Sequence, residues 1–119
     1  MNQRLQGSKG EGMAVRFLEE SGYEVIGRNY SCKLGEVDII AKDLVTHELV
    51  FVEVKTRWNN ACGYPEEAVH PKKLRSVCRV AQMWIEEKIG KDTAMRVDVI
   101  AIEMDGSTPK FTHLKNVTF

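Results

Sequence analysis

Cysteine, net charge and long apolar runs are all scarce in this sequence, and each scarcity removes a class of protein. The three cysteines, Cys32, Cys62 and Cys78, are odd in number and contain no C-x-x-C pair. Their spacing supports neither a disulfide framework nor a zinc site. No apolar stretch approaches the roughly 20 residues of a membrane-spanning helix, and MNQRLQGSKGEG at the start lacks the apolar segment of a secretory signal. The expectation is a cytoplasmic protein with no membrane partner. Seventeen basic and seventeen acidic residues cancel, which argues against a surface coated with Lys and Arg but leaves a local basic patch open. Internal repeats and low-complexity tracts are also missing, so solenoids and disordered chains drop out. What is present, 119 residues of ordinary globular composition, suffices for one core, and a single domain over 1–119 is expected.

Apolar spacing predicts a first helix over Ser8–Ser21, carried by Met13, Ala14, Phe17 and Leu18 and stopped by Gly22. YEVIGRNY, EVDIIA and LVFVEVK read as three strands joined by short polar turns, an antiparallel meander. Gly63, Pro65 and scattered aromatics make Arg57 to His70 a loop. Pro71 suits a first helical position, and Leu74, Val77, Cys78, Ala81 and Ile85 continue a second helix to Gly90. MRVDVIAIEM and FTHLKNV supply a fourth strand and a fifth at the sheet edge. The order is αβββαββ. A helix between strands three and four sets them parallel, so an α/β fold with a mixed sheet covered by helices is expected.

Alternation places Glu36, Asp38 and Ile40 on one face of strand two, and Leu49, Phe51, Glu53 and Lys55 on one face of strand three. With the turn centred between Val45 and Thr46, Asp38 lies opposite Glu53 and Glu36 opposite Lys55. The bland explanation is a solvated face carrying charge. Against it, LVFVEV and VDIIA are almost continuously apolar, which implies burial on both faces, where an unpaired carboxylate is costly. Opposed like charges also weaken a sheet. A bound cation would offset that repulsion, and hard oxygen ligands favour Mg²⁺ or Mn²⁺. A glycosidase also uses paired carboxylates, but a neighbouring lysine would lower the pKa of the acid that must stay protonated. Lysine favours phosphoryl chemistry instead.

An acid on one strand and Glu53-Val54-Lys55 on the next resembles the PD-(D/E)XK, or restriction-endonuclease-like, nucleases. More widely, GSKGEGMA, GRNYSCKLGEVDII, FVEVKTR, GYPEEAV and KKL resemble the bacterial YraN family, whose nearest functional analogues are the archaeal Holliday-junction resolvases. One departure is Val37, where that nuclease motif often has proline. The resemblance implies a restriction-endonuclease-like domain in which Asp38, Glu53 and the Val54 carbonyl bind metal. Lys55 would serve the nucleophile and Glu11 would complete the site from helix one, while for Glu36 a partner for Lys55 or a group supporting the site from behind explains the residue as well as direct ligation does. Glu11 has a competing explanation, since Ser8 and Glu11 fit an S-x-x-E capping box.

Lys72, Arg75 and Arg79 form a stripe on helix two, with Lys73 beside it and Arg57 just after strand three. These are candidate phosphate contacts, and Trp58 and Tyr64 could stack on bases. A solvated helix face and packing under the loop are the respective alternatives. Asp98, among apolar residues, is expected to bond Arg96 or the buried helix, while the three histidines show no ligand spacing. Two functions stay open. One is a metal-dependent endonuclease acting on structured or branched DNA, and the other is a non-catalytic nucleic-acid-binding module. A homodimer follows from the resolvase resemblance and the exposed edge strand.

Overall fold

The computed structural model describes residues 3–57 and 70–117, with side chains of the first helix described from Lys9 onward. Its elements are α1 (Gln3–Glu20), β1 (Tyr23–Cys32), β2 (Gly35–Asp43), β3 (Leu49–Arg57), α2 (Pro71–Lys88), β4 (Met95–Asp105) and β5 (Thr108–Leu114). The expected αβββαββ order is therefore observed. Trp58, Cys62 and Tyr64 lie outside the described residues.

The sheet runs in chain order, β1-β2-β3-β4-β5. The meander β1–β2–β3 is antiparallel, β3 and β4 are parallel, and β5 returns antiparallel at the edge. Only β3 and β4 need a crossover, and α2 provides it. The apolar runs are explained by helices on both faces. Val50, Val52, Ile100 and Ile102 pack with Ala14 and Leu18 of α1. On the opposite face, Leu49, Phe51, Val97 and Val99 pack with Leu74, Val77, Val80 and Ile85 of α2. Burying a side chain such as Phe51 contributes about 1.5–3 kcal/mol.

Three local expectations need correction. First, α1 begins at Gln3, five residues before Ser8, so Ser8 lies inside the helix and cannot be its N-cap. The glycines that weaken a helix by propensity have a tertiary use here, because a Cβ at Gly10 would run into Thr56 Oγ1 of β3. Close helix–strand approach outweighs the modest propensity cost of glycine. Secondly, β5 starts earlier than FTHLKNV and ends at Leu114.

The third correction concerns β2. Val37 joins Ile40 in the α2 layer, although strict alternation would put it with Ile39 on the α1 side. Asn29, the residue of β1 between the pairs Arg28–Ile39 and Tyr30–Val37, has φ of 52°. This left-handed residue faces Asp38 and breaks the alternation there. Asp38 therefore sits where the hairpin changes face.

A buried polar cluster secures the other end of the sheet. Arg96 Nη1 donates to Asp43 and Glu48, each at 3.0 Å, and Nη2 donates to the Tyr23 hydroxyl at 2.7 Å. Arg96 Nε donates to Asp98 at 3.1 Å, while His113 Nε2 lies 2.7 Å from the same carboxylate. The expected Arg96–Asp98 bond is thus one strand of a wider network joining β1, β2, β4 and β5. Burial would raise the pKa of Asp43, but the Val45 and Thr46 N–H groups and Arg96 hold it down at about 2.

Candidate active site

The β2–β3 ladder pairs Lys42 with Leu49 through Ile39 with Val52 and goes no further. This is the register expected from a turn centred at Val45–Thr46. Asp38 and Glu53 are the first residues beyond the last pair. Past them the strands stop bonding each other, although β1–β2 pairing continues to Cys32–Gly35 and β3–β4 pairing continues to Arg57–Glu103. Beyond Ile39–Val52 the facing edges of β2 and β3 are thus unpaired with each other. Where the pairing ends, the Val54 N–H donates to Asp38 Oδ2 at 2.8 Å, so the carboxylate satisfies the amide that β2 leaves unpaired.

Glu53 presents the opposite problem. Its Oε2 is buried with no hydrogen-bond partner, and the neighbouring Asp38 carboxylate is another acceptor. Burial, reinforced by the negative charge of Asp38, pushes the Glu53 pKa up to about 7, and Lys73 only partly opposes the rise. Burial also raises Asp38, against the lowering effects of the Val54 N–H and Lys73. The two carboxyls are thus held together in a place where water and donors compensate them poorly.

Glu11, half-buried on α1, reaches the same end of β2. Burial raises its pKa and the charge of Asp38 adds to the rise, while Arg28 opposes it. Among the described residues, no three His, Cys, Asp or Glu side chains converge closely enough to grip one ion. Asp38 and Glu53 are the close pair, and Glu11 stands apart from them. Lys55 follows Glu53 by two residues on β3 and is exposed. Glu36 does not pair with Lys55 as the register suggests; its Oε1 lies 3.8 Å from Lys73 Nζ of α2.

The basic residues divide into two groups. Lys72, Arg75 and Arg79 are exposed on α2, whereas Lys73 is half-buried and its charge lowers the pKa of both Asp38 and Glu53. Arg57 ends β3 and is half-buried. Spacing within α2 assigned Lys73 to a phosphate surface. The turn that docks α2 on the hairpin also brings it toward the carboxylates: Ser76 Oγ donates to the Leu34 carbonyl at 3.0 Å, and Lys73, three residues earlier, shares that helix face. No signal in the helix alone could reveal this, because it depends on where the β1–β2 turn lands.

Comparison with known proteins places these residues in a family. Relatives include a UPF0102 protein of Geotalea uraniireducens, 45% identical over 92% of this chain and 86% of the relative. Another, from Caldicellulosiruptor saccharolyticus, is 48% identical over 88% and 87%. A Mycobacterium tuberculosis UPF0102 protein is 38% identical over 93% and 90%. Among solved structures, a repair endonuclease from Pyrococcus abyssi aligns at 16% identity with a TM-score of 0.43, over 83% of this chain but 39% of that protein. EndoMS in complex with double-stranded DNA aligns at 17% identity with a TM-score of 0.36, over 71% of this chain and 32% of that one. The chain thus spans well under half of either structural neighbour. The family model described as "Uncharacterised protein family UPF0102" matches residues 10–102, from the close-packed Gly10 through both carboxylate strands to Ile102. With that match and these relatives, the chain belongs to UPF0102, the YraN family that its motifs resemble.

Proposed function

We propose that the protein is a divalent-metal-dependent endonuclease that hydrolyses phosphodiester bonds in structured or branched DNA. The observation that carries this reading is the buried, partnerless Glu53 Oε2 beside the Asp38 carboxylate. With both carboxyls ionised, an acceptor left unsatisfied next to another acceptor costs about 1–3 kcal/mol or more; a proton on Glu53 relieves this below about pH 7, and above it a divalent cation would satisfy both. Asp38 fits that role, because Val54 occupies Oδ2 and leaves Oδ1 available. Asp38, Glu53 and the Val54 carbonyl would hold Mg²⁺ or Mn²⁺. Two carboxylates suit magnesium, which ordinarily keeps several waters of its own. When bound, the ion would supply a Lewis acid for the phosphoryl oxygen.

The rest of the chemistry belongs to the chain. Lys55 follows Glu53 on the same strand and is exposed, so its ammonium can orient an attacking water or balance charge developing on phosphate. Lys72, Arg75 and Arg79 would hold flanking phosphates, and Arg57 would act at the end of β3. Glu11 would act from the α1 wall.

The test is a panel of single-stranded, flapped, Y-shaped and four-way DNA incubated with Mn²⁺. Wild type should cut at least one member, and Lys55→Met should lower turnover by on the order of 10²–10³ while sparing DNA affinity. If every substrate is bound but none is cut, the non-catalytic binding module is the correct reading.

A further inference from the structure

The change of face in β2 has a counterpart in β1. Tyr30 and Val37 pair with each other and both pack in the α2 layer, whereas Ile39, the partner of Arg28, packs in the α1 layer. Residues two apart on a regular strand share a face. The paired strands therefore cross over at the residues between, Asn29 and Asp38. Asn29 has φ of 52°, a conformation that asparagine tolerates and β-branched residues do not. Its exposed side chain belongs to neither core layer, so burial does not account for the residue. Its amide donates instead to the Glu11 carboxylate of α1. With β2 turned at this point, the Asp38 carboxylate accepts from the Val54 N–H at 2.8 Å, where the β2–β3 ladder ends.

We infer that Asn29 is a positioning residue of the candidate site: its left-handed backbone turns β2 so that the Asp38 carboxylate, rather than the β2 main chain, takes the Val54 N–H and ends the β2–β3 ladder beside Glu53. The functional meaning of this role rests on the proposal that Asp38 is a metal ligand. The N–H groups of β3 lie in the plane of the sheet. A regular β2 would carry the Asp38 side chain out of that plane, onto the α2 face with Ile40, and the carboxylate would lose the Val54 amide. A left-handed asparagine is strained, and such strain persists only where the surrounding structure holds it in place. Asn29 acts through Asp38 and not on substrate.

Amide hydrogen exchange followed by NMR in EDTA, without metal or DNA, tests the inference in wild type, Asn29→Gly, Asn29→Val and Asn29→Ala. Val54 exchange is read against the amides of Val99 and Ile100 in β4, both fully buried, so that a general loss of stability cancels. Glycine adopts the left-handed conformation freely and should keep Val54 as protected as in wild type. Valine opposes that conformation and should speed Val54 exchange about tenfold against the reference, the worth of one hydrogen bond to a charged group. Alanine should act in the same direction and stands in where valine folds poorly. Calorimetric Mn²⁺ binding should rank the same way, with wild type and Asn29→Gly alike and Asn29→Val weaker. Unchanged Val54 protection in Asn29→Val and Asn29→Ala, equal loss in Asn29→Gly, or measurable but equal Mn²⁺ affinity in all four proteins would overturn the positioning role. If Val54 follows the expected order while wild type binds no Mn²⁺ at millimolar concentration, the metal site falls and the positioning of Asp38 by Asn29 stands.

Discussion

Replacing Glu53 with glutamine imitates the protonated acid, because the amide can donate to Asp38 where the ionised carboxylate cannot. In the folded protein the Glu53 pKa is raised from its ordinary 4.5 to about 7, chiefly by burial and then by Asp38. The native state therefore holds a proton that the unfolded chain has lost between those two values. The unfolded state binds fewer protons in this window, so stability falls as pH rises through it. At about 1.36 kcal/mol per pH unit, the interval from 4.5 to about 7 corresponds to an upper limit on the order of 3 kcal/mol once both states are ionised. Urea unfolding in EDTA at pH 5 and pH 8 measures the effect. Wild type should lose stability relative to Glu53→Gln between these conditions, by up to that amount. Mn²⁺ at pH 8 should restore the wild type and leave the variant unchanged. If the wild type and the variant show the same pH dependence in EDTA, the carboxylate pair is not strained and the reasoning from the buried oxygen fails.

Other substitutions probe the frame around the site. Arg96→Met leaves Asp98, which is fully buried, without its main counter-charge and should lower unfolding free energy by about 3–5 kcal/mol in urea. Gly10→Val drives a side chain into Thr56 and should cost about 1–3 kcal/mol in the same assay. Lys72→Ala and Arg75→Ala should weaken DNA binding across sequences and flatten its logarithmic dependence on salt by about one phosphate contact each. Asp43 adds an acid limb: its pKa is lowered to about 2, so the stabilisation it provides is complete above about pH 4 and is lost as pH falls toward 2. Asp43→Asn should remove that part of the acid sensitivity in a thermal melt.

Much of this architecture was legible because two-sided burial leaves a strong trace in sequence. LVFVEV and VDIIA read as almost continuous apolar runs because α1 and α2 cover both faces of the sheet. The β2–β3 register followed from the turn alone, and it matches the observed pairs from Lys42–Leu49 to Ile39–Val52, next to which Asp38 and Glu53 lie. The features that sequence left hidden are tertiary. Nothing local shows that the ladder ends at Ile39, that left-handed Asn29 turns β2 beside Asp38, or that α1 extends to Gln3 through several glycines. The partner of Glu36 was misassigned to Lys55 for the same reason: strand pairing was assumed to continue where a helix supplies the cation. Asp98 was traced to Arg96, but Tyr23, Asp43, Glu48 and His113 come to that cluster from three other segments, and no spacing along the chain relates them.

The most direct measurement is Mn²⁺ titration by calorimetry of wild type against Asp38→Asn, which removes a charge while keeping an oxygen that can accept from Val54. The account predicts a divalent-ion site in the wild type that the substitution abolishes or weakens severely. Equal binding by the two proteins, or no binding by the wild type at millimolar Mn²⁺, would contradict it.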